Sequence, residues 1–450
     1  MKKQIIVIGA GAGGMMAAGH AAEMGADVVL LEKTDRPGKK ILISGNGRCN
    51  LSNSRDLESF IAQYGVNGKF LYSAYNRFFR EELLAFFKKF GVETVTEPDG
   101  KIYPVSQNAR EIVRVFQQYL KDTGVELRLN TDVKNIAVEN RKVTGVDTSQ
   151  GIFPADAVIL ATGGSSRPWT GSAGDGYRMA EALGHTIVKL RPGLVPLIVE
   201  EDELVHNMMG ASLRNVRLTA FQCCAADIET SLIPTQNTGR GLGSKKSKAP
   251  VIESRQGDAI ITHFGLSGPI TLEMSLAIVD TLEKGPVSVS IDLKPDLTEK
   301  QLHTELQQAF EEHSKRTVPL LLKGFIIPKM IEPLLALGGI SPQKTGSQIT
   351  TAERGSLTSL IKSLCFNIEG AYSMATAMVT AGGVSLKEIA PKTMASKLIE
   401  GLYFCGEVMD IDAGTGGYNL QAAFSTGYIA GESAALGQNV DGSPSFAMSD

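Results

Sequence analysis

QIIVIGAGAGGMMAAGHAAEMGADVVLLE, residues 4–32, decides the fold. Gln4 to Ile8 reads as a fully buried strand, Ala12 to Met24 as a helix of small residues, and Asp27 to Leu31 as a second buried strand. The result is a βαβ start and a parallel sheet. Between strand and helix, Gly9-Ala10-Gly11-Ala12-Gly13-Gly14 fits G-x-G-x-x-G with Gly9, Gly11 and Gly14 in register. Gly9 allows the tight turn, Gly11 lets the backbone approach a pyrophosphate, and Gly14 allows close packing of helix on strand. The helix N-terminus adds N–H groups and positive potential. Glu32 closes the unit about 20 residues on, where a carboxylate accepts hydrogen bonds from ribose hydroxyls and repels a 2′-phosphate. Lys33 follows it directly.

Working outward, the 450-residue chain exceeds the length at which a single core stops growing, so two or three domains are expected. Hydrophobic residues at 43% and charged residues at 21% describe a globular protein and exclude a disordered or fibrous one. Lys2 and Lys3 before an apolar run superficially resemble a secretory signal. The glycine spacing and the strand that follows make this segment part of the fold instead, and no window offers ~18 uninterrupted apolar residues for a membrane span. A net charge of −3 gives no overall attraction to nucleic acid or anionic membrane. Cys49, Cys223, Cys224, Cys365 and Cys405 are an odd set without C-x-x-C spacing, so neither a disulfide framework nor a metal site is indicated. The cytoplasm is the expected compartment.

Lys33 to Asn53 is polar, contains glycine and is too long for an ordinary connection, which marks it as functional. Helical periodicity covers Arg80 to Phe90 and Asn108 to Thr123, and Glu97-Pro98-Asp99-Gly100 reads as a hairpin turn. Ala155 to Leu160 is a strand running into a second glycine turn, Ala161-Thr162-Gly163-Gly164. After Arg191-Pro192-Gly193 the pattern changes to short strands (Val216 to Ala225, Ala259 to Thr262, Val287 to Ile291) and helices (Glu299 to Glu312, Pro319 to Leu337). Leu402 to Cys405 restores a buried strand before a helix from about Asn419. The expected division is 1–192 and 347–450 for a discontinuous Rossmann-type domain, with 193–346 inserted. Gly239 to Lys248, with Lys245, Lys246 and Lys248, reads as a solvated surface loop.

The first unit does not distinguish NAD from FAD, but GEVMDIDAGTGGYNLQAAF (Gly406 to Phe424) favours FAD. A strand ending at Gly406-Glu407 and a helix starting near Gly416-Gly417-Tyr418-Asn419 would direct N–H groups at the flavin pyrimidine edge and stabilise its reduced form. Glu407 and Asp412 would bind ribityl hydroxyls. Only one dinucleotide fingerprint occurs, so NAD(P)H would dock transiently as electron donor.

PGKKILISGNGRCNLSN (Pro37 to Asn53), THFGLSGP (Thr262 to Pro269) and the Gly406 to Phe424 segment together resemble the BaiN-like, or YhiN-type, family of NAD(P)/FAD-dependent oxidoreductases. The resemblance spans nearly the whole chain. It implies an α/β, glutathione-reductase-type FAD-binding domain, like that of fumarate reductase flavoproteins, interrupted by an insert with a small β-barrel and helices. It further implies that Lys40, Ser44, Gly45, Asn46, Arg48 and Cys49 line pyrophosphate and flavin, that Val133 meets adenine through its backbone, and that Thr162 and Gly163, after Ala161, close over the dinucleotide.

Two residues are candidates for catalysis. Arg48 either holds an anionic substrate or neutralises the pyrophosphate. His263 has a suitable ordinary pKa for proton transfer, or is a structural histidine satisfied by backbone. Cys49 lacks a resolving thiol nearby, which argues for packing over redox chemistry. Tyr418 is a donor or a packing residue, and Cys223-Cys224 lies in an apolar strand. The expected function is an FAD-dependent reductase or dehydrogenase of a small organic substrate, with hydride passing through flavin N5. An RNA-modifying flavoenzyme would need a basic face around the insert, and a non-enzymatic flavin sensor would lack an open cavity at N5.

Overall fold

The computed structural model describes residues 2–228, 250–438 and 440. The chain divides into two units, residues 1–191 with 374–450, and residues 192–373. In the first, β1 (Gln4–Ile8), α1 (Ala12–Glu23), β2 (Asp27–Leu31), α2 (Ala109–Asp122), β3 (Glu126–Arg128), β4 (Ala157–Leu160), β5 (Leu402–Phe404) and α3 (Tyr418–Leu436) form the frame. The sheet runs β5-β4-β1-β2-β3 with every pair parallel. Four of its five strands are apolar runs without alternation, as a sheet covered on both faces requires. The order reverses at β1: the chain steps to one side through β2 and β3, then returns through β4 and β5. Such a switch point opens a crevice at the carboxyl ends of the strands.

α1 is buried from Ala12 to Ala21 because the sheet lies on one side and helices on the others. Its partner α3 approaches to backbone contact. A Cβ on Gly427 would lie 2.4 Å from the Gly13 carbonyl oxygen, and one on Gly431 would lie 2.4 Å from that of Ala17. The four-residue spacing of the two glycines puts both on one face of α3. This contact brings the C-terminal segment against the N-terminal glycine turn.

The second unit contains a closed six-stranded barrel of strands Leu197–Val199, Gly265–Ser267, Val251–Ile261, Ser212–Phe221, Ser288–Asp292 and Leu364–Ala371, antiparallel throughout. The last strand pairs with Ser288–Asp292 and with Leu197–Val199, so it closes the barrel. For that reason the insert runs to Ser373, beyond the boundary at 346 expected from sequence. The helix expected over Pro319 to Leu337 is two helices, Val318–Leu322 and Pro328–Leu337. Ile327 precedes a proline and is extended (φ −66°, ψ 143°), which breaks the run. Cys223 is buried but Cys224 is exposed, and both follow the end of their strand rather than lying in it. Gly239 to Lys248 falls outside the described residues.

Gly431→Leu should destabilise the protein by about 2–3 kcal/mol, because backbone, not a flexible side chain, faces the new atoms. Gly355, in a helix where an added Cβ would meet no atom of the described residues within 4 Å, is the control. Gly355→Ala should be neutral or stabilise by up to about 1 kcal/mol. Denaturant midpoints of the two variants check both.

Candidate functional site

The glycine turn after β1 contains three different constraints. Gly9 has φ 101°, and a Cβ there would meet the Ala161 carbonyl oxygen at 2.6 Å. A Cβ on Gly14 would come within 1.9 Å of the Gly9 carbonyl oxygen. Both are demanded by packing. Gly11 is not: its φ is −84°, and an added Cβ meets no described atom within 4 Å. It is the N-cap of α1, whose first-turn amides, from Ala12 onward, have no side-chain cap. Open space above uncapped helix amides is what a phosphate group needs. Gly13 also packs, since its Cβ would sit 3.1 Å from the Ala423 carbonyl oxygen and 3.2 Å from Cys405 Sγ.

Glu32, at the end of β2, is buried. Its Oε2 accepts the Ala10 N–H (2.9 Å) and its Oε1 the Thr34 N–H (2.9 Å). These bonds set the carboxylate plane while each oxygen keeps a lone pair for a hydroxyl donor. The Thr131 N–H donates to the Glu32 carbonyl (2.9 Å), and two residues on Val133 opens the buried start of a strand. The Lys33 ammonium pairs with Asp175, which also takes Arg178 at 2.8 Å. Burial works against ionising Asp175, but its bonds to Lys33 and Arg178 outweigh it and hold its pKa below the usual carboxylate value.

The long loop joins this turn through the Gly38 N–H, which donates to the Ala10 carbonyl (2.8 Å). After a short helix, Lys39–Ile43, the backbone turns left-handed at Gly45 (φ 54°), Asn46 (56°), Gly47 (82°) and Cys49 (63°). Asn46 and Cys49 carry side chains there at a cost of about 1–2 kcal/mol each. The closure is held by the Cys49 N–H to the Ser44 carbonyl (3.0 Å) and the Ser44 hydroxyl to the Ile41 carbonyl (2.7 Å). Arg48 turns to the neighbouring hairpin: its guanidinium donates to Glu97 (2.7 Å), the Tyr103 hydroxyl (3.0 Å) and Gln107 (3.2 Å), and lies 4.0 Å from the Tyr103 ring centre. Cys49 is fully buried, and burial pushes its thiol up to about 12, so it is not a thiolate near neutral pH.

Segments far apart in sequence converge on Glu407, just beyond β5. Its Oε2 accepts Lys40 Nζ (2.6 Å) and the Gly164 N–H (3.3 Å), and its Oε1 accepts the Thr380 N–H (2.9 Å) and the Ser166 hydroxyl (3.3 Å). Lys40 also reaches the Ser166 Oγ at 2.8 Å. Thr380 Oγ1 in turn accepts the N–H groups of Ser165 (2.8 Å) and Ser166 (3.1 Å), fixing the turn after β4. Ser166 and Thr380 were not found from sequence. The available signal was the glycine pair Gly382-Gly383, both at positive φ, in the buried strand Val379–Val384.

Within the turn after β4, the Ala161 N–H pairs with the Ile8 carbonyl (3.0 Å) and Gly163 has φ 72°. Thr162 Oγ1 is buried with no hydrogen-bond partner among the described residues. That hydroxyl lies against Gly176 of the helix Asp175–Ala182, where an added Cβ would come within 2.0 Å of it, and an orphaned buried hydroxyl fits a polar partner that the described residues do not supply. At the far end, Gly406 has φ 73° and donates its N–H to Thr426 Oγ1 (3.0 Å). Gly416 and Gly417 have φ 130° and 90°, and a Cβ on Gly417 would lie 2.4 Å from the Ser52 carbonyl oxygen. The long loop and the 412–419 turn, which includes Asp412, are therefore in contact. Asn419 clasps Ala413, accepting its N–H at 3.0 Å and donating to its carbonyl at 2.8 Å. The buried Tyr418 ring lies edge-on to Phe60, with 4.7 Å between centres.

The structure thus brings together the candidate cofactor positions at the carboxyl ends of β1, β2, β4 and β5. His263 belongs to the other unit. It is exposed between strands Val251–Ile261 and Gly265–Ser267, with its ring edge-on to Phe264 at 4.8 Å.

A family model described as the HI0933-like protein Rossmann domain matches residues 3–433. The chain belongs to the HI0933-like family. It is 31% identical over 437 residues to the 3-dehydro-bile acid delta(4,6)-reductase of Clostridium scindens, covering 96% of this chain and 99% of that protein. It is 30% identical to the ribosomal RNA dihydrouridine synthase of Escherichia coli over 424 residues, and 30% identical to that of Haemophilus influenzae over 430 residues. In both cases 94% of this chain and 96% of the relative are covered. This member of the HI0933-like family is an FAD-dependent oxidoreductase, which sets aside the sensor reading. Among the described residues, no helix is long and apolar enough to cross a membrane.

Thiol labelling of the folded protein at pH 8 should modify the exposed Cys224 first, while Cys49 and Cys405, both held up to about 12 by burial, react only on unfolding. Labelling of Cys49 at the Cys224 rate would show that the loop opens.

Proposed function

We propose that the edge formed by β1, β2, β4 and β5 holds FAD. In this reading Gly9 to Gly14 and the α1 amides receive the pyrophosphate, Glu32 and the backbone of Val133 the adenosine, and Thr162-Gly163 the dinucleotide crossing between them. Lys40, the Ser44 to Cys49 loop, Glu407, Asp412 and the Gly416 to Asn419 turn form the flavin end. The carrying observation is Gly11, a glycine that the protein's own packing does not require, over an uncapped helix at the switch point. Bound FAD supplies two-electron hydride transfer through N5.

The activity we propose is reduction of a carbon–carbon double bond conjugated to a carbonyl, with NAD(P)H as the transient electron donor. The relatives' activities support this class. A delta(4,6)-reductase acting on a 3-dehydro bile acid and a synthase of dihydrouridine both saturate such a bond, which takes hydride at the carbon remote from the carbonyl and a proton at the adjacent one. His263 is our candidate proton donor, being exposed and of a residue type suited to that step. Arg48, with its guanidinium committed to Glu97 and Tyr103, is assigned to shaping the loop.

We favour a small organic enone as substrate. The second reading is a uracil base in ribosomal RNA, supported by the two synthases at 30% identity. Charge weighs against it: residues 192–373 contain 20 acidic and 17 basic residues, not the basic insert that backbone phosphates would attract.

The test is anaerobic absorbance of FAD-reconstituted protein on adding NADH or NADPH, followed by a panel of steroid and simple enones and by ribosomal RNA lacking dihydrouridine. Bleaching by a nicotinamide donor and reoxidation by an enone is the expected result; reoxidation by RNA alone selects the second reading, and a folded protein that binds no FAD overturns both. Gly11→Val should leave stability within about 1 kcal/mol of wild type, since no atom of the described residues lies within 4 Å of the added Cβ, while FAD affinity falls at least about 100-fold. His263→Gln should slow enone reduction by about 100-fold and leave flavin reduction by NAD(P)H unchanged.

A further inference from the structure

The turn that leads into α3 is held by side chains that reach its carbonyl groups. Asn419 holds Ala413, as described above. Asn53, from the end of the long loop, donates Nδ2 to the Gly416 carbonyl at 3.1 Å across a buried path, while its Oδ1 accepts the Arg55 N–H at 3.2 Å. The Tyr64 hydroxyl donates to the Tyr418 carbonyl at 2.7 Å and lies 2.5 Å from the Tyr75 hydroxyl. A phenol has one proton to give, and that of Tyr64 goes to Tyr418, so Tyr75 donates to Tyr64. The result is a directed chain, Tyr75 to Tyr64 to Tyr418, in which each bond polarises the next. Both tyrosines are buried, and burial, the largest effect on each, keeps them un-ionised donors.

These contacts do more than close a loop. In a planar trans peptide the N–H points opposite to the C=O. Fixing the carbonyls of Gly416 and Tyr418 therefore fixes the N–H groups of Gly417 and Asn419 in the opposite direction, away from Asn53 and Tyr64. Gly417 is the N-cap of a 19-residue helix with no side-chain cap. Donors at such a terminus are effective only when held in place before charge develops.

We propose that Asn53 and Tyr64 are positioning residues that set the flavin's reduction potential, by aiming the Gly417 and Asn419 amides at the cofactor edge that gains negative charge on reduction. The inference rests on the proposed placement of the flavin at this turn. Loss of Asn53 frees the Gly416 carbonyl and lets that peptide plane rotate, whereas the Tyr418 carbonyl lies within the helix, so loss of the Tyr64 hydroxyl removes the donor that polarises the peptide between Tyr418 and Asn419. Each change weakens the hold on the reduced form more than on the oxidised form. Tyr75 acts one bond further away and contributes less.

The experiment measures the two-electron midpoint potential of FAD-loaded wild type, Asn53→Ala, Tyr64→Phe and Tyr75→Phe, together with FAD affinity and thermal unfolding. Tyr64→Phe keeps the ring and removes only the hydroxyl. Asn53→Ala and Tyr64→Phe should each lower the potential by about 30 mV, a tenfold loss in the preference for reduced over oxidised FAD, and Tyr75→Phe by less than half of that. Potentials unchanged in both, with lower melting temperatures, would mean that the clasps are merely structural and overturn the proposal. Should Tyr64→Phe not fold, Asn53→Ala and the milder Asn53→Ser carry the same comparison. A wild-type protein that binds no FAD would bring down the cofactor assignment itself, an outcome distinct from unchanged potentials in loaded variants.

Discussion

Contact between the first turn of α1 and the end of β1 is the constraint on which the rest of this protein depends. With the Gly14 Cβ position 1.9 Å from the Gly9 carbonyl oxygen, any side chain would push the helix off the strand. Because the helix starts there, its uncapped amides face the crevice beside β4, and its far side is left for α3. The same requirement recurs at the next layer, where Gly427 and Gly431 let α3 rest on the α1 backbone. Two layers of backbone contact thus carry the C-terminal turn to the N-terminal one.

Electrostatics then tie the remaining segments to that frame. Glu407 accepts from four donors in three parts of the chain, and Lys40 is the only charged one among them. The pair is mostly shielded, with side chains 28% and 19% exposed, so its hydrogen bonds are in the stronger range of about 1.5–3 kcal/mol. A carboxylate removed from this position would leave two backbone amides without their acceptor and the Lys40 ammonium with the Ser166 hydroxyl but no counter-charge. Glu32 does similar work at the other end, orienting the glycine turn and the start of the long loop with one side chain. The acids of this edge have structural duties as well as the ligand contacts proposed for them.

Much of the first unit was legible because its elements carry local signals. Fully apolar strands, a G-x-G-x-x-G between strand and helix, and an acid at the end of β2 are each set by contacts within a few residues or by one packed sheet. The helices Arg80–Lys89 and Ala109–Asp122 carry amphipathic periodicity and lie where it places them. The long loop stood out by its length and glycines, but its sequence does not show that Arg48 is spent on Glu97 and Tyr103, since that pairing needs the adjacent hairpin. The insert's end was misplaced because closure of a barrel is a long-range pairing: nothing local tells Leu364–Ala371 that its neighbours are Ser288–Asp292 and Leu197–Val199.

From residues alone came the Rossmann-type unit, the G-x-G-x-x-G turn between its first strand and helix, the existence of an insert and the list of candidate positions, because short-range periodicity and glycine spacing encode them. Folding decided that these positions share one edge, that Ser166 and Thr380 join Glu407, and that Asn53 and Tyr64 grip carbonyls more than 350 residues away. The reason is physical: a hydrogen bond between distant segments exists only once the sheet order and the helix contacts have brought donor and acceptor to within about 3 Å, and no pattern along the chain records that distance.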